Sequence, residues 1–66
     1  MGYHIYRVAD KESREIGYVD DQAQGAQALE ALMRIDGAGY FLIDDKRTDV
    51  FFREMKSIGV VIHDEQ

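Results

Sequence analysis

The chain has 66 residues and no cysteine, and the lack of cysteine limits how so small a domain can be stabilised. A chain of this length buries only about 60% of the surface that its unfolded form exposes, so its core is marginal. Disulfides and thiolate metal sites, which reinforce many very small domains, are excluded. We therefore predict one domain over residues 1–66 that depends on well-packed helices, on self-association or on a partner.

The charge balance is acidic, with 13 Asp and Glu residues, 8 Lys and Arg residues and a net charge of −5. Proteins that bind nucleic acid directly carry a basic face for the phosphates, so direct nucleic-acid binding is disfavoured. The balance suits a basic protein partner, and it is also the modest charge that keeps many small domains in solution. No apolar stretch resembles a signal peptide or a transmembrane helix, which predicts a cytoplasmic protein without membrane contact.

The first residues of the chain predict a β-hairpin. Residues 3–8 are rich in aromatic and β-branched side chains, and residues 16–19 are again apolar. Residues 10–15 between them are entirely polar. Two short apolar runs across a polar connection indicate two antiparallel strands joined by a loop.

A long amphipathic helix is predicted at 21–36. Asp21 and Gln24 have the spacing of a capping box, and Gly37 can end the helix. Gly25 inside the helix costs about 1 kcal/mol relative to alanine, which suggests that the helix backbone packs closely there. The apolar face of this helix is predicted to contain Ala26, Leu29, Leu32 and Met33.

The second half of the chain contains two apolar runs, at 39–43 and 60–63, that have the continuous apolar character of covered strands. Between them, most apolar residues of 49–58 fall on one helical stripe, and Gly59 can end that helix. We therefore predict an α+β fold of the order ββαβαβ, with one small sheet and the helices packed on it. The last two strands are expected to be parallel neighbours. The alternative order, ββαβββ, makes 49–53 a strand.

The sequence contains no recognisable catalytic motif, since neither serine has a nucleophile-elbow context and no phosphate-binding loop is present. We therefore predict no catalytic residue and no cofactor. Ligands of open α/β sheets bind beyond the carboxyl ends of strands, and oxygen and imidazole groups there suit a weakly held divalent ion. The weak candidates for such a metal site, which are more typical of solvated turns, are Asp44, Asp45, His63 and Asp64.

Aromatic side chains and acidic pairs are the candidates for binding a partner. If both helices lie on one face of the sheet, the rings of the other face need a partner or a second copy to cover them. If the helices cover opposite faces, the tyrosines lie along the rim. Acidic residues gathered at one end of the sheet would attract a basic protein surface. The predicted partner-binding residues are Tyr3, Tyr6, Tyr18, Tyr40, Phe41, Asp20, Asp44 and Asp45.

These observations predict a small acidic protein without enzymatic activity that binds a protein partner and regulates or inhibits it. Inhibitors that phages and mobile elements carry against nucleic-acid-binding proteins are analogous in class. A homodimer is also expected, because a lone core of this size is marginal. Two alternatives stay open: a metal-binding or enzyme-like domain that uses the carboxylate and histidine end of the sheet, and a homo-oligomeric accessory subunit.

Overall fold

The structure is a computed structural model that describes residues 2–63. Within this range, four strands form a mixed sheet with two helices packed on it, an α+β fold in the predicted order. The alternative with a strand at 49–53 is wrong, because these residues are helical. The elements are β1 (Tyr3–Ala9), β2 (Glu12–Val19), α1 (Gln22–Ile35), β3 (Gly39–Asp44), a 3-10 helix (Asp45–Arg47), α2 (Thr48–Ser57) and β4 (Val61–His63). No helix in the described range is long and apolar enough to cross a membrane.

β1 and β2 form a longer hairpin than the sequence predicts. The turn contains only Asp10 and Lys11, whose φ angles of 54° and 63° are those that the tight turns of two-residue hairpins require. Residues 12–15, predicted as loop, therefore belong to β2. Their polar character indicated a loop, but a strand with one exposed face can also be polar. Ser13 is small enough to be buried, while its neighbours on the strand point to the opposite, exposed side.

The strand order is β3-β1-β2-β4, which puts β3 and β4 at opposite edges of the sheet. β3 pairs antiparallel with β1, and β4 pairs parallel with the first residues of β2. The prediction that β3 and β4 are parallel neighbours is therefore wrong. β1 and β2 are already paired as a hairpin, so each has one free edge, and each of the two later strands occupies one of those edges.

The two helices lie on opposite faces of the sheet. Consecutive residues of a strand point to opposite faces, so two neighbours on β3 identify the helix on each side. Leu42 packs against Gly25 of α1, whereas the Phe41 ring lies 5.5 Å from the ring of Phe51 in α2. Each face of the sheet therefore has a helix, so the predicted arrangement with both helices on one face does not apply.

α1 meets the sheet through a face that is shifted from the predicted one. Asp21 caps the helix as predicted, because its side chain accepts a hydrogen bond from the Ala23 N–H at 3.1 Å. Ala26 and Met33, predicted to face the core, are exposed, Met33 to 60%. The observed face centres on Gly25, where the missing side chain allows close approach. Its buried and half-buried residues are Gly25, Ala28, Leu29 and Leu32.

The main apolar core lies between the sheet and α2. It contains Tyr6, Phe51, Met55 and Val60, and the rings of Tyr6 and Phe51 stack with centroids 4.7 Å apart. Tyr6 is only 3% exposed, so it is a core residue and does not form part of a partner-binding surface as predicted. The reason is the position of α2, which places Phe51 and Phe52 directly against the Tyr6 ring.

Candidate partner-binding site

Several of the predicted partner-binding residues come together at one end of the sheet, where β1 begins and β2 and β3 end. Tyr3 pairs with Val19 on one side and with Asp44 on the other. Asp20 follows β2 directly, and Asp45 follows β3. The register of three strands therefore gathers acidic side chains around one tyrosine. We call this region the acidic end, and it comprises Tyr3, Tyr18, Asp20, Asp44 and Asp45.

The first of two clefts at the acidic end has a volume of about 310 Å³. Asp44 Oδ1 is buried and has no hydrogen-bond partner within the described residues. The other oxygen, Oδ2, lies 3.9 Å from Arg47 Nε. Because the Asp44 side chain is 33% exposed while Oδ1 is enclosed, Oδ2 is the oxygen that a ligand in this cleft can reach. The cleft is lined by Tyr3, Gln22, Leu42, Ile43, Asp44 and Arg47.

The second cleft has a volume of about 410 Å³ and shares Tyr3 and Asp44 with the first. Three carboxylates contribute to its wall, and Lys46 is the cation among its lining residues. The wall therefore carries an excess of negative charge, which favours a cationic ligand. Its lining residues are Gly2, Tyr3, Asp20, Asp44, Asp45 and Lys46.

His4 lies beside the acidic end and bridges two carboxylates from different elements. Its Nδ1 is 2.8 Å from Glu15 Oε2, and its Nε2 is 2.6 Å from Asp45 Oδ1. Burial of the ring opposes protonation, but the hydrogen bonds to both carboxylates and their charges outweigh burial and raise the pKa of His4. The Tyr18 ring contacts the imidazole edge to face, with centroids 4.8 Å apart. These contacts therefore favour the imidazolium form of His4 over the neutral ring.

Asp45 is the most firmly held carboxylate of the acidic end. Its Oδ2 accepts hydrogen bonds from the Gly2 backbone N–H at 3.0 Å and from the Tyr18 hydroxyl at 3.3 Å, while Oδ1 faces His4. The hydrogen bonds from His4 and Gly2 lower the pKa of Asp45. Burial and the Asp45 charge raise the pKa of Tyr18. Asp45 and Tyr18 are thus hydrogen-bonded to each other, and Asp45 also contacts Gly2 and His4. Asp20 and Asp44 are therefore the acidic side chains of this region that are proposed to bind a partner.

Sequence reasoning missed the part that His4 plays in this cluster. His4 and Asp45 are 41 residues apart, so no motif spacing connects them. The hairpin register is the one signal that could have revealed part of the cluster, since it places His4 directly opposite Tyr18. The predicted loop at 10–15 concealed that register.

Tyr40 and Phe41, also predicted to bind a partner, lie away from the acidic end. The Tyr40 hydroxyl donates to Asp36 Oδ1 at 2.9 Å and accepts from Arg7 Nε at 3.3 Å. Asp36 Oδ2 also lies 3.1 Å from Arg7 Nη2, so these three side chains form a network of their own. Phe41 is 38% exposed on β3, at the open edge of the sheet. The predicted surface is therefore divided between two regions.

The candidate metal ligands are not brought together. Asp44 of β3 pairs with Tyr3 at the start of β1. His63 of β4 pairs with Arg14 of β2, and Arg14 pairs in turn with Arg7, which lies further along β1. The two residues also lie on opposite edge strands, because β4 pairs with β2 and not with β3. Within residues 2–63, no group of three or more His, Asp or Glu side chains is arranged to hold a metal ion. The predicted ligand Asp64 lies outside the described residues.

His63 has a different neighbour from the one that the sequence suggested. Its Nε2 lies 3.2 Å from Glu12 Oε1, an ion-pair distance when the ring is protonated, although this nitrogen has no aligned hydrogen bond within the described range. His63 and Glu12 thus form a separate pair on the β2–β4 edge, remote in register from the acidic end.

The chain matches no family model, and the comparison with curated proteins found no match. The comparison with solved structures found none either. The function is therefore inferred from the geometry of the acidic end and of its two clefts.

Proposed function

We propose that the chain is a non-enzymatic interaction protein that binds a basic surface of a partner protein through its acidic end. The observation that carries the proposal is the Asp44 carboxylate, which lines both clefts, is 33% exposed and has the 3.9 Å contact to Arg47 as its one described ion pair. A lysine or arginine side chain of the partner would pair with the accessible oxygen of this carboxylate, Oδ2. A hydrogen bond to a charged group contributes about 1.5–3 kcal/mol.

The composition of the first cleft supports a long cationic side chain as its occupant. Lys and Arg pack their methylene stems on apolar surface while the charged head stays paired, and Leu42 provides such a surface beside Asp44. The Tyr3 ring can add a cation–π contact of about 0.5–1 kcal/mol. Arg47 competes weakly, because its side chain is 79% exposed and exposed ion pairs contribute about 0–1 kcal/mol.

Regulation or inhibition by masking is the mechanism that we propose. The described residues that line the two clefts include carboxylates, a tyrosine, an amide and two cations, but no serine, cysteine or histidine, which supports binding over catalysis. A partner that uses its basic surface to hold nucleic acid would lose access to it when the acidic end binds. Association between such surfaces is fast and weakens with salt.

Affinity capture from the native host, at low and at high salt, tests the proposal with the double variant Asp20→Asn/Asp44→Asn. Asparagine keeps the shape of each side chain, and the described residues show Asp44 with only the 3.9 Å contact to Arg47 to lose. The matched control, Glu30→Gln/Glu54→Gln, removes two charges from exposed helix positions outside both clefts.

The expected result is a partner that the control variant retains and that the double variant binds at least about tenfold more weakly, a loss of about 1.4 kcal/mol. The captured partner should also dissociate as salt is raised. Equal retention by the two variants would show that the acidic end is not the contact surface.

Self-association is a second candidate, favoured by the open edge of β3. This strand has six residues, pairs only with β1 among the described strands, and carries the exposed Phe41 ring. Such an edge can pair with a second copy of itself. Light scattering of the wild type and of a Phe41→Lys variant tests the homodimer. A monomeric wild type at high concentration would count against it.

A further inference from the structure

The imidazole of His4 contacts a carboxylate oxygen with each of its two ring nitrogens. A neutral imidazole carries one N–H, so it can donate to only one of them. The other nitrogen would then turn its lone pair towards a carboxylate oxygen at hydrogen-bond distance, which is repulsive. Both contacts therefore coexist only when the ring is doubly protonated.

The two carboxylates differ in how easily they can move. Asp45 is fixed by the Gly2 N–H and the Tyr18 hydroxyl in addition to His4. Glu15 has the longer side chain, and its described hydrogen bond is the one to His4. Moving Asp45 would disturb the start of β1 and the 3-10 helix, whereas moving Glu15 requires only a rotation into water.

We propose that the contact between His4 and Glu15 is a pH-operated release, in which loss of a proton from His4 frees Glu15 while the contact between His4 and Asp45 is kept. The neutral ring then carries its remaining proton on Nε2. The proton is lost from Nδ1, and the Glu15 carboxylate exchanges the imidazolium for water.

The groups that face His4 come from three elements. β2 contributes Glu15 and Tyr18, the 3-10 helix contributes Asp45, and β3 contributes Ile43, which pairs with His4 and carries no charge. On β1 itself, the Tyr6 ring stacks at 6.2 Å. The positive charge of protonated His4 is thus offset by two carboxylates. When His4 loses its proton, the net charge of this cluster becomes more negative by one.

This inference rests on the proposed function where it concerns binding. Asp45 lines the second cleft, so the additional negative charge develops beside the surface proposed to bind a basic partner. Binding should therefore tighten as pH rises through the pKa of His4. The charges on both carboxylates and their hydrogen bonds place that transition above the ordinary histidine value of about 6.5.

NMR of the isolated protein, labelled uniformly with ¹³C and ¹⁵N, tests the release without any partner. A His63→Gln variant assigns the two rings. We expect the neutral form of His4 to be the Nε2–H tautomer and the Glu15 carboxyl ¹³C signal to move with the His4 transition. Glu15→Gln should lower the pKa of His4 and keep the tautomer, whereas the control Glu30→Gln should leave the His4 titration unchanged.

The opposite tautomer, Nδ1–H, with movement of the Gly2 amide signal and a static Glu15 signal, would overturn the proposal, because Asp45 would then be the group released. A His4 transition at or below pH 6.5 would also overturn it. Neither outcome affects the capture experiment, which compares wild type with the Asp20→Asn/Asp44→Asn variant. Failure of the release and failure of the proposed function are therefore distinguishable.

Discussion

Gly25 of α1 lies so close to Leu42 of β3 that a Cβ atom on Gly25 would be 2.6 Å from Leu42 Cδ1 and 2.9 Å from Leu42 Cδ2. Val19 Cγ2 would be 3.1 Å away. The glycine therefore sets the distance between helix and sheet, and it explains why the observed face of α1 is centred on it. The close packing expected from a glycine inside a helix is confirmed.

Replacement of this glycine should destabilise the fold. In Gly25→Ala, overpacking costs about 1–3 kcal/mol and the helix gains about 1 kcal/mol from alanine. We expect a net loss of about 1 kcal/mol in the free energy of unfolding, measured by urea denaturation. In a Leu42→Ala background the loss should vanish, because the two nearest atoms are gone. A Gly25→Ala protein as stable as wild type would contradict the close approach.

The end of α2 provides a second test of a glycine. Gly59 has a φ of 84°, its N–H donates to Lys56 O at 3.1 Å, and the Val60 N–H donates to Met55 O at 2.9 Å. These are the two hydrogen bonds of a Schellman motif. We expect Gly59→Ala to lower the melting temperature, with a cost of about 1 kcal/mol.

Gly37 is the matched control for Gly59, since a Cβ there meets no atom within 4 Å and Gly59 is the one glycine with positive φ in the described range. Gly37→Ala should be neutral or up to about 1 kcal/mol more stable, because alanine restricts the unfolded chain. Equal losses of stability in Gly37→Ala and Gly59→Ala would contradict the conclusion that Gly59 needs its positive φ and Gly37 does not.

Ser13 is fully buried, and its hydroxyl has no hydrogen-bond partner among the described residues. It lies on the α2 face between Val8 and Ile62. We expect Ser13→Ala to stabilise the protein by about 1 kcal/mol, because an unpaired buried hydroxyl is removed. The control Ser57→Ala removes an exposed bond to Glu54 O and should change stability by less than about 0.5 kcal/mol. Destabilisation by Ser13→Ala would show that the hydroxyl is paired.

The stability of the protein should depend on the ionisation of His4. Because folding raises the pKa of His4, the folded state binds the proton more tightly than the unfolded chain does. The stabilisation is complete below about pH 6.5 and is lost as pH rises through the pKa of His4 in the folded state. Urea denaturation between pH 5.5 and 9 should show this decline in wild type and a flatter profile in His4→Gln. Parallel profiles would contradict the bridge between Glu15 and Asp45.

The local features of this fold could be predicted from the sequence, whereas the pairing of its edges could not. Asp21 and Gly59 identify the start of one helix and the end of the other, because caps act within a few residues. Which edge β4 joins depends on its pairing with β2, a contact between distant parts of the chain that the pattern of 60–63 alone does not report. The predicted hairpin is shorter than the observed one because residues 12–15 are polar and read as a loop, although Ser13 among them is buried.

The candidate site could be predicted in part. Tyr3, Asp20 and Asp44 were recognisable because each lies where a predicted strand begins or ends. Tyr6 was misplaced because an aromatic residue in a strand gives the same pattern whether its ring faces the core or the solvent. The bridge of His4 to Asp45 depends on the packing of the 3-10 helix against the start of β1, which sequence spacing does not report.

The most direct test of the central claim is an NMR titration of the ¹⁵N-labelled protein with a short lysine- and arginine-rich peptide at low salt. Binding through the acidic end predicts amide shift changes concentrated at Tyr3, Asp20 and Asp44, and their loss in Asp20→Asn/Asp44→Asn but not in Glu30→Gln/Glu54→Gln. Shift changes spread evenly over the acidic residues of the surface, or centred on the exposed Met33 and Ile35 at the end of α1, would contradict it.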